Sequence, residues 1–290
     1  MKKTAIVAVS TGCLDYVEVK SDNLFMIRCK IMMNDDTFND FVDITADEFY
    51  QAINEDKQLV PRSSMPSPGD IEDTLKTIEE AGYENAIIIT ISSALSGTYQ
   101  TCLMAKNAYQ GNLNIHVFDT KNAAISEGFI SIEALRLIDE DKSVDEILDY
   151  IKKLALSRKQ YFMVDNLRLL VKNGRLSGAS GFLGSVLKIK PILEVNDEGK
   201  IVPFEKVRTQ SKALDRMVEH VLKDLKEINN FVITYDTSDN TKGYEYVKGI
   251  IEEHYPNHRY YAAPITPVIG AHTGAGTVGI AYFNLDKMKD

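Results

Sequence analysis

Apolar positions in the first half of this chain fall into short β-branched runs. Residues 4–9 read TAIVAV and residues 86–91 read AIIITI. Runs of this length and composition predict buried strands. Residues 25–33 and 114–118 predict two more. Between them the spacing turns helical. Thr45-x-x-Glu48 forms a capping box ahead of Phe49, Tyr50 and Ile53. Ser67, Pro68 and Asp70 open a second helix that runs to about Ala81, where Gly82 stops it. A third, over 98–109, puts Tyr99, Cys102 and Leu103 on one side. Ser143-x-x-Glu146 caps a fourth, with Ile147, Ile151 and Leu154 in one stripe. The β-α-β order predicts a parallel sheet flanked by helices.

The second half has another rhythm. Residues 166–172 predict a short helix ended by Gly174, and Phe182, Leu183, Val186 and Leu187 mark a further helical face. Residues 191–195 and 200–208 flank an Asn-Asp-Glu-Gly turn and predict a hairpin. Leu214, Met217, Val218, Val221, Leu222 and Leu225 recur at helical spacing. A strand over 231–235, a helix marked by Tyr244, Val247, Ile250 and Ile251, and strands over 259–263 and 277–283 follow. The expected fold is α/β in two domains. Residues 1–155 hold a parallel sheet flanked by helices, and residues 156–290 an α/β domain with mixed or antiparallel strands. No Pro/Gly linker marks the boundary.

Composition narrows the functional classes. The 290 residues are 44% hydrophobic, sufficient for a sizeable core, and carry a formal charge of −9. That charge argues against nucleic acid or an anionic membrane as the main partner. Cys13, Cys29 and Cys102 form no disulfide or zinc pattern, so a reducing, cytoplasmic setting is expected. The apolar run over 5–9 is shorter than the ~7–15 residues of a secretory signal core. No stretch approaches the ~20 apolar residues of a membrane span, so no stable membrane anchor is expected.

Two hydroxyl-rich helix starts are the first candidates for chemistry. Ser92, Ser93, Ser96 and Gly97 separate the strand over 86–91 from the next helix, and Ser63 and Ser64 precede the Ser67 cap. A helix N-terminus offers unpaired N–H groups and the positive end of its dipole, which suits an anion. The plain alternative is a pair of caps and turns. His272 lies among four glycines within ten residues, where its ring can approach a ligand and donate to an anion near neutral pH. Its alternative is a loop histidine bonded to backbone. Arg208 ends a predicted strand and suits a carboxylate or phosphate, or else pairs with Glu205. Gly274 to Gly279 spell G-x-G-x-x-G but lead into a strand near the end of the sequence, which excludes a dinucleotide fingerprint. His254 and His258 are separated by Pro256, and no metal is expected. Ser96 with His272 would suit a hydrolase, though no G-x-S-x-G elbow is present.

These segments carry a family resemblance. Ser63-Ser64-Met65-Pro66-Ser67 resembles the T-S-Q-P-S motif of the DegV family, and Ser92-Ser93-Ala94-Leu95-Ser96-Gly97-Thr98-Tyr99 its S-S-x-L-S-G-T-Y motif. Gly174-Arg175-Leu176-Ser177 is similar to its G-R-[IL]-S segment. The stretch from Gly270 to Gly279 is similar to its C-terminal glycine-rich loop. The matches occur in order over nearly the whole chain. The resemblance implies a bacterial carrier that buries a long-chain fatty acid and has no catalytic residue or other cofactor. It also implies a separate fatty acid kinase subunit that phosphorylates the presented carboxylate to acyl phosphate. A tunnel between the two domains would take the tail. Ser63, Ser64, Ser93, Ser96, Gly97 and His272 would hold the carboxylate, Ser93 first within its motif. Arg208 and His272 would serve the head group or phosphate, and Arg175 is structural or faces the kinase. The sequence departs from the family at Val9, Met65, Ala124 and Ser126, where it lacks an acid, a glutamine, a serine and a glycine. Two alternatives remain: a serine-dependent lipid hydrolase or acyltransferase, and a lipid sensor without a kinase.

Overall fold

The computed structural model describes residues 3–56, 58–165, 167–178 and 190–288. The predicted helical face at Phe182–Leu187 and residue 166 of the predicted short helix lie outside them. The first sheet contains β1 (Thr4–Val9), β2 (Leu24–Ile27), β6 (Asn85–Thr90) and β7 (Asn114–Asp119). All its pairings are parallel, in the order β2-β1-β6-β7. Parallel strands buried on both faces need continuous apolar sequence, and β1 and β6 are buried at every residue. Helices α2 (Pro68–Glu80) and α3 (Thr98–Ala108) contribute Ile71, Leu75, Ile78, Cys102 and Ala105 to the core on one side.

The predicted strand over 25–33 divides in two. After β2, the chain turns at Arg28, which pairs with Asp15, and starts β3 (Lys30–Met33) in a different sheet. This small antiparallel sheet runs β4-β3-β5, with β4 at Asp36–Asn39 and β5 at Arg62–Ser64. Helix α1 (Ala46–Glu55) lies between β4 and β5 in sequence and has the predicted Thr45–Glu48 capping box.

The second sheet has six strands, in the order β10-β9-β8-β13-β11-β12. They are β8 (Arg158–Met163), β9 (Ile192–Val195), β10 (Ile201–Glu205), β11 (Phe231–Ser238), β12 (Arg259–Pro264) and β13 (Thr277–Asn284). Only β11 and β12 pair in parallel. Helices α7 (Gln210–Leu225) and α8 (Thr241–His254) cover its outer face through the predicted stripes. Three further helices are α5 (Val144–Leu156), α6 (Arg168–Lys172) and α9 (Pro267–Thr273).

Between the sheets lies α4 (Ile125–Asp139), which the sequence reading did not predict. It packs on β1 and β6 and also on β11 and β12. Ile6, Ile87 and Ile89 of the first sheet and Val232 and Phe283 of the second meet Phe129 and Ile130 in one core. Close approach at the start of α4 depends on glycine: a Cβ on Gly128 would lie 2.1 Å from the Gly12 carbonyl oxygen. Gly128→Ala therefore forces the helix away from the loop after β1. We expect it to lower stability by about 1–3 kcal/mol, seen as a reduced denaturant midpoint. An unchanged midpoint would show that the interface yields without cost.

Candidate functional site

Parallel sheets gather their loops at the carboxyl ends of the strands, and open α/β sheets place ligands there. Here β1 leads into Thr11, β6 into Ile91, Leu95 and Ser96, and β7 into Ala123, and all of these line one cavity. Its opposite wall comes from β5, which supplies Ser63 and Ser64, and from α9, which supplies Val268, Ile269, His272 and Thr273. The non-atom space is about 560 Å³, counting solvent at the opening.

Ser63 is in a strand, not a solvated loop: it pairs in register with Ile31, and Ser64 with Lys30. That strand pairing fixes the serine opposite α9. Ser63 Oγ lies 2.7 Å from His272 Nε2. His272 likewise sits on a short helix rather than in the glycine-rich loop expected of it. The glycines serve other ends: Gly274, at φ 75°, terminates α9, and the G-x-G-x-x-G stretch then enters β13. Burial, and then the charge of Arg175, lower the His272 pKa to about 4. The ring is thus neutral near pH 7. Its Nδ1 is buried with no hydrogen-bond partner among the described residues. With Nε2 protonated, the ring donates to Ser63 Oγ and leaves the serine O–H free to donate onward.

The second hydroxyl motif divides by role. Ser92 Oγ donates to the Gly199 carbonyl at 2.8 Å, tying the hairpin tip of β9 and β10 to this loop. Ser93 binds Asp119 through both its N–H (3.1 Å) and its hydroxyl (2.6 Å) and does not line the cavity. The first choice within the motif therefore moves from Ser93 to Ser96. Ser96 lines the cavity and shares a 2.8 Å hydrogen bond with Thr98 Oγ1 at the start of α3. Gly97 precedes α3, where a Cβ would come within 3.0 Å of Met65 Sδ at the cavity rim. Gly97 itself is not among the residues that line the cavity.

Among the described residues, the cationic side chain that lines the cavity is that of Arg175, not Arg208. Gly174, at φ 67°, ends α6 and turns the chain so that Arg175 lines the cavity, with Nε donating to the Leu95 carbonyl at 3.3 Å. Arg208 lies beyond the end of β10, is exposed, and lines no cavity described here. Glu205, its predicted alternative partner, binds Arg216 and His220 instead. One sign of Arg175 is legible in the sequence, its place between Gly174 and the motif residue Ser177.

A second, inner space of about 390 Å³ continues from the first. Ala123, Ile201, Ile269 and Thr273 line both. The inner space lies against the six-stranded sheet, with Phe162, Val195 and Ile265 as apolar walls. The path is therefore polar at Ser63, Ser96, Arg175 and His272 and largely apolar beyond them.

Chemical alternatives find less support. A serine hydrolase needs a third group to orient the base, and none of the described residues bonds His272 Nδ1. No group of three His, Cys, Asp or Glu able to hold a metal occurs among the described residues. His254 and His258 each bind a backbone carbonyl, at Ile250 and Tyr255. No helix of the described residues is long and apolar enough to cross a membrane.

The fold and cavity define an α/β protein with an internal cavity that is polar at one end and largely apolar beyond it. Comparison with known proteins agrees on the class. The family model described as "Uncharacterised protein, DegV family" matches residues 3–285, and the chain belongs to that family. A DegV domain-containing protein of Clostridium acetobutylicum is 34% identical over 283 residues, 97% of this chain and 98% of that one. The crystal structure of DegV, a fatty acid binding protein from Bacillus subtilis, superimposes with a TM-score of 0.86 at 27% identity, covering 98% of this chain and 100% of that one. The Streptococcus pneumoniae fatty acid kinase B3 protein, loaded with linoleic acid, shares the fold with a TM-score of 0.83 at 23% identity, over 97% and 99% of the two chains.

Proposed function

We propose that this protein binds one long-chain fatty acid, with its carboxylate at Ser63, Ser96, Arg175 and His272 and its tail directed into the inner space. Ser64 also lines the cavity and would share in the head-group site. The observation that carries this reading is the continuity of the two spaces, polar at one end and largely apolar along the rest. Family membership and the fatty-acid-binding relative from Bacillus subtilis support it. Each buried CH₂ contributes about 0.8 kcal/mol, so a tail of roughly fourteen methylenes contributes on the order of 11 kcal/mol before ordering costs.

The protein then serves as a carrier, in the cytoplasm, for a separate kinase subunit that makes acyl phosphate. The family resemblance of the four motifs supports this step. Arg208 has no head-group role in this reading, because it is exposed and away from the cavity. Native mass spectrometry of the purified protein tests the carrier reading. One C14–C20 fatty acid per chain is expected. Protein that arrives empty and fails to take up palmitate or oleate would refute it. Ester turnover by the protein alone would favour the hydrolase. A loaded protein that no fatty acid kinase phosphorylates would favour the lipid sensor.

A further inference from the structure

The inner space has a polar feature that a plain hydrocarbon tail does not match. Three strands of the six-stranded sheet face it. Gln160 and Phe162 come from β8, Thr277 and Gly279 from β13, and Asp236 from β11. Asp236, Gly279 and Phe162 are neighbours across the sheet, in one row of the register. Gly279 has no side chain to fill that row. A Cβ there would lie 3.3 Å from Asp236 and 3.5 Å from Phe162, so the glycine keeps the space between them open.

Both polar residues are almost completely buried: Asp236 is 3% exposed and Gln160 5%. Asp236 Oδ1 accepts from the Ile125 N–H at 3.1 Å, and no hydrogen bond to its second oxygen occurs among the described residues. Gln160 Nε2 donates to the Ala123 carbonyl at 3.3 Å, while its Oε1 is buried without a partner. Buried polar atoms are normally paired, and each unpaired one is costly. The free Gln160 Oε1 is an acceptor, whereas the second Asp236 oxygen accepts when ionised and donates when protonated.

We propose that the inner space recognises a hydroxyl group on the hydrocarbon chain of the ligand, and that hydroxylated long-chain fatty acids are preferred ligands. This rests on the fatty-acid reading above. A hydroxyl donates to Gln160 Oε1, pairs with the second Asp236 oxygen in either of its protonation states, and fills the gap over Gly279. A saturated tail leaves Gln160 Oε1 unmatched. A keto group offers only an acceptor, so it does not satisfy Gln160 Oε1. Thr277 adds little, since its hydroxyl already contacts the Gly274 carbonyl at 3.4 Å.

The test is displacement of a fluorescent fatty acid by stearic acid, by hydroxystearic acids with the hydroxyl moved along the chain, and by the matching oxostearic acids. One positional hydroxy isomer should bind at least tenfold tighter than stearic acid, and its oxo counterpart should not. In Gln160→Leu the preference should fall to within about threefold while stearic acid binds at least as well as before. Equal binding of stearic acid and every hydroxy isomer by the parent protein overturns the proposal, whatever the variant does. A preference that survives unchanged in both Gln160→Leu and Asp236→Asn overturns the assignment to these residues. Failure to bind any of the acids would instead refute the fatty-acid reading itself.

Discussion

The double replacement Ser63→Ala, Ser96→Ala is expected to weaken binding of oleate or palmitate by roughly a hundredfold to ten-thousandfold. Hydrogen bonds to a charged group contribute about 1.5–3 kcal/mol each, and every 1.4 kcal/mol is tenfold in affinity. Ser63 is held opposite His272 by its strand register, and Ser96 stands at the start of α3, so each hydroxyl is positioned before a ligand arrives. Such preorganisation avoids part of the ordering cost of binding. Loss of Ser63 also leaves His272 Nε2 without its partner, so the two effects need not add. Ser93→Ala is the matched control. Its hydroxyl is committed to Asp119, and its affinity should stay within about threefold of the parent. Titration calorimetry decides the matter. A double variant that binds as tightly as the parent, or a Ser93→Ala variant that loses as much, would remove the carboxylate from this end of the cavity.

The preference for Ser96 over Ser93 shows where sequence reading stops. Both serines belong to one motif, and both follow the same strand. What separates them is Asp119, twenty-six residues further along, which ends β7 beside β6 and captures Ser93. No local pattern contains that pairing. Similarly, Arg175 and Arg208 both follow a signal that suits an anion. Only the turn at Gly174 brings one of them to the cavity, and a fold-level contact was needed to see it.

The elements divide in the same way. β1, β6, β7, α5 and α7 were legible because each presents a clean β-branched run or an apolar stripe bounded by caps. Helix α4 was not, for the physical reason that it is buried between two sheets on nearly all sides. A helix with no solvated face carries no amphipathic period to detect. Strand β8 was missed as well. Arg158, Lys159 and Gln160 make its first half look polar, yet Arg158 and Gln160 are buried. Arg158 is sustained there by three backbone carbonyls, of Val195, Asn196 and Lys121. β2 and β3 read as one strand because alternation persists through Arg28 and Cys29, although the two halves belong to different sheets.

Such buried polar groups also make stability depend on pH. Asp40, Glu127 and Asp236 are all desolvated acids, and burial raises the pKa of each, to about 6 for Asp40 and about 7 for Asp236. In the unfolded chain an aspartate titrates near 3.9. Between pH 4 and 7 folded Asp236 keeps a proton that the unfolded chain has released. The unfolded state then binds fewer protons, so stability falls as pH rises through this window. The rise from near 3.9 to about 7 corresponds to on the order of 4 kcal/mol, present in full below about pH 4 and lost above about pH 7. His272 acts in the opposite sense. Its folded pKa, about 4, lies below its unfolded value near 6.5, so its contribution is lost as pH falls from 6.5 towards 4. The two slopes oppose each other over pH 4–6.5, and above that window only the acid's remains. Asp236→Asn keeps an oxygen to accept from the Ile125 N–H and removes the ionisation. The variant should therefore match the parent near pH 4 and exceed it by several kcal/mol at pH 8, with the gain appearing between pH 4 and 7. Urea midpoints at intervals over that range measure the difference, and the His272 term cancels between parent and variant. A constant offset between the two curves, or a variant less stable than the parent at pH 8, would mean that Asp236 is held ionised in the folded protein.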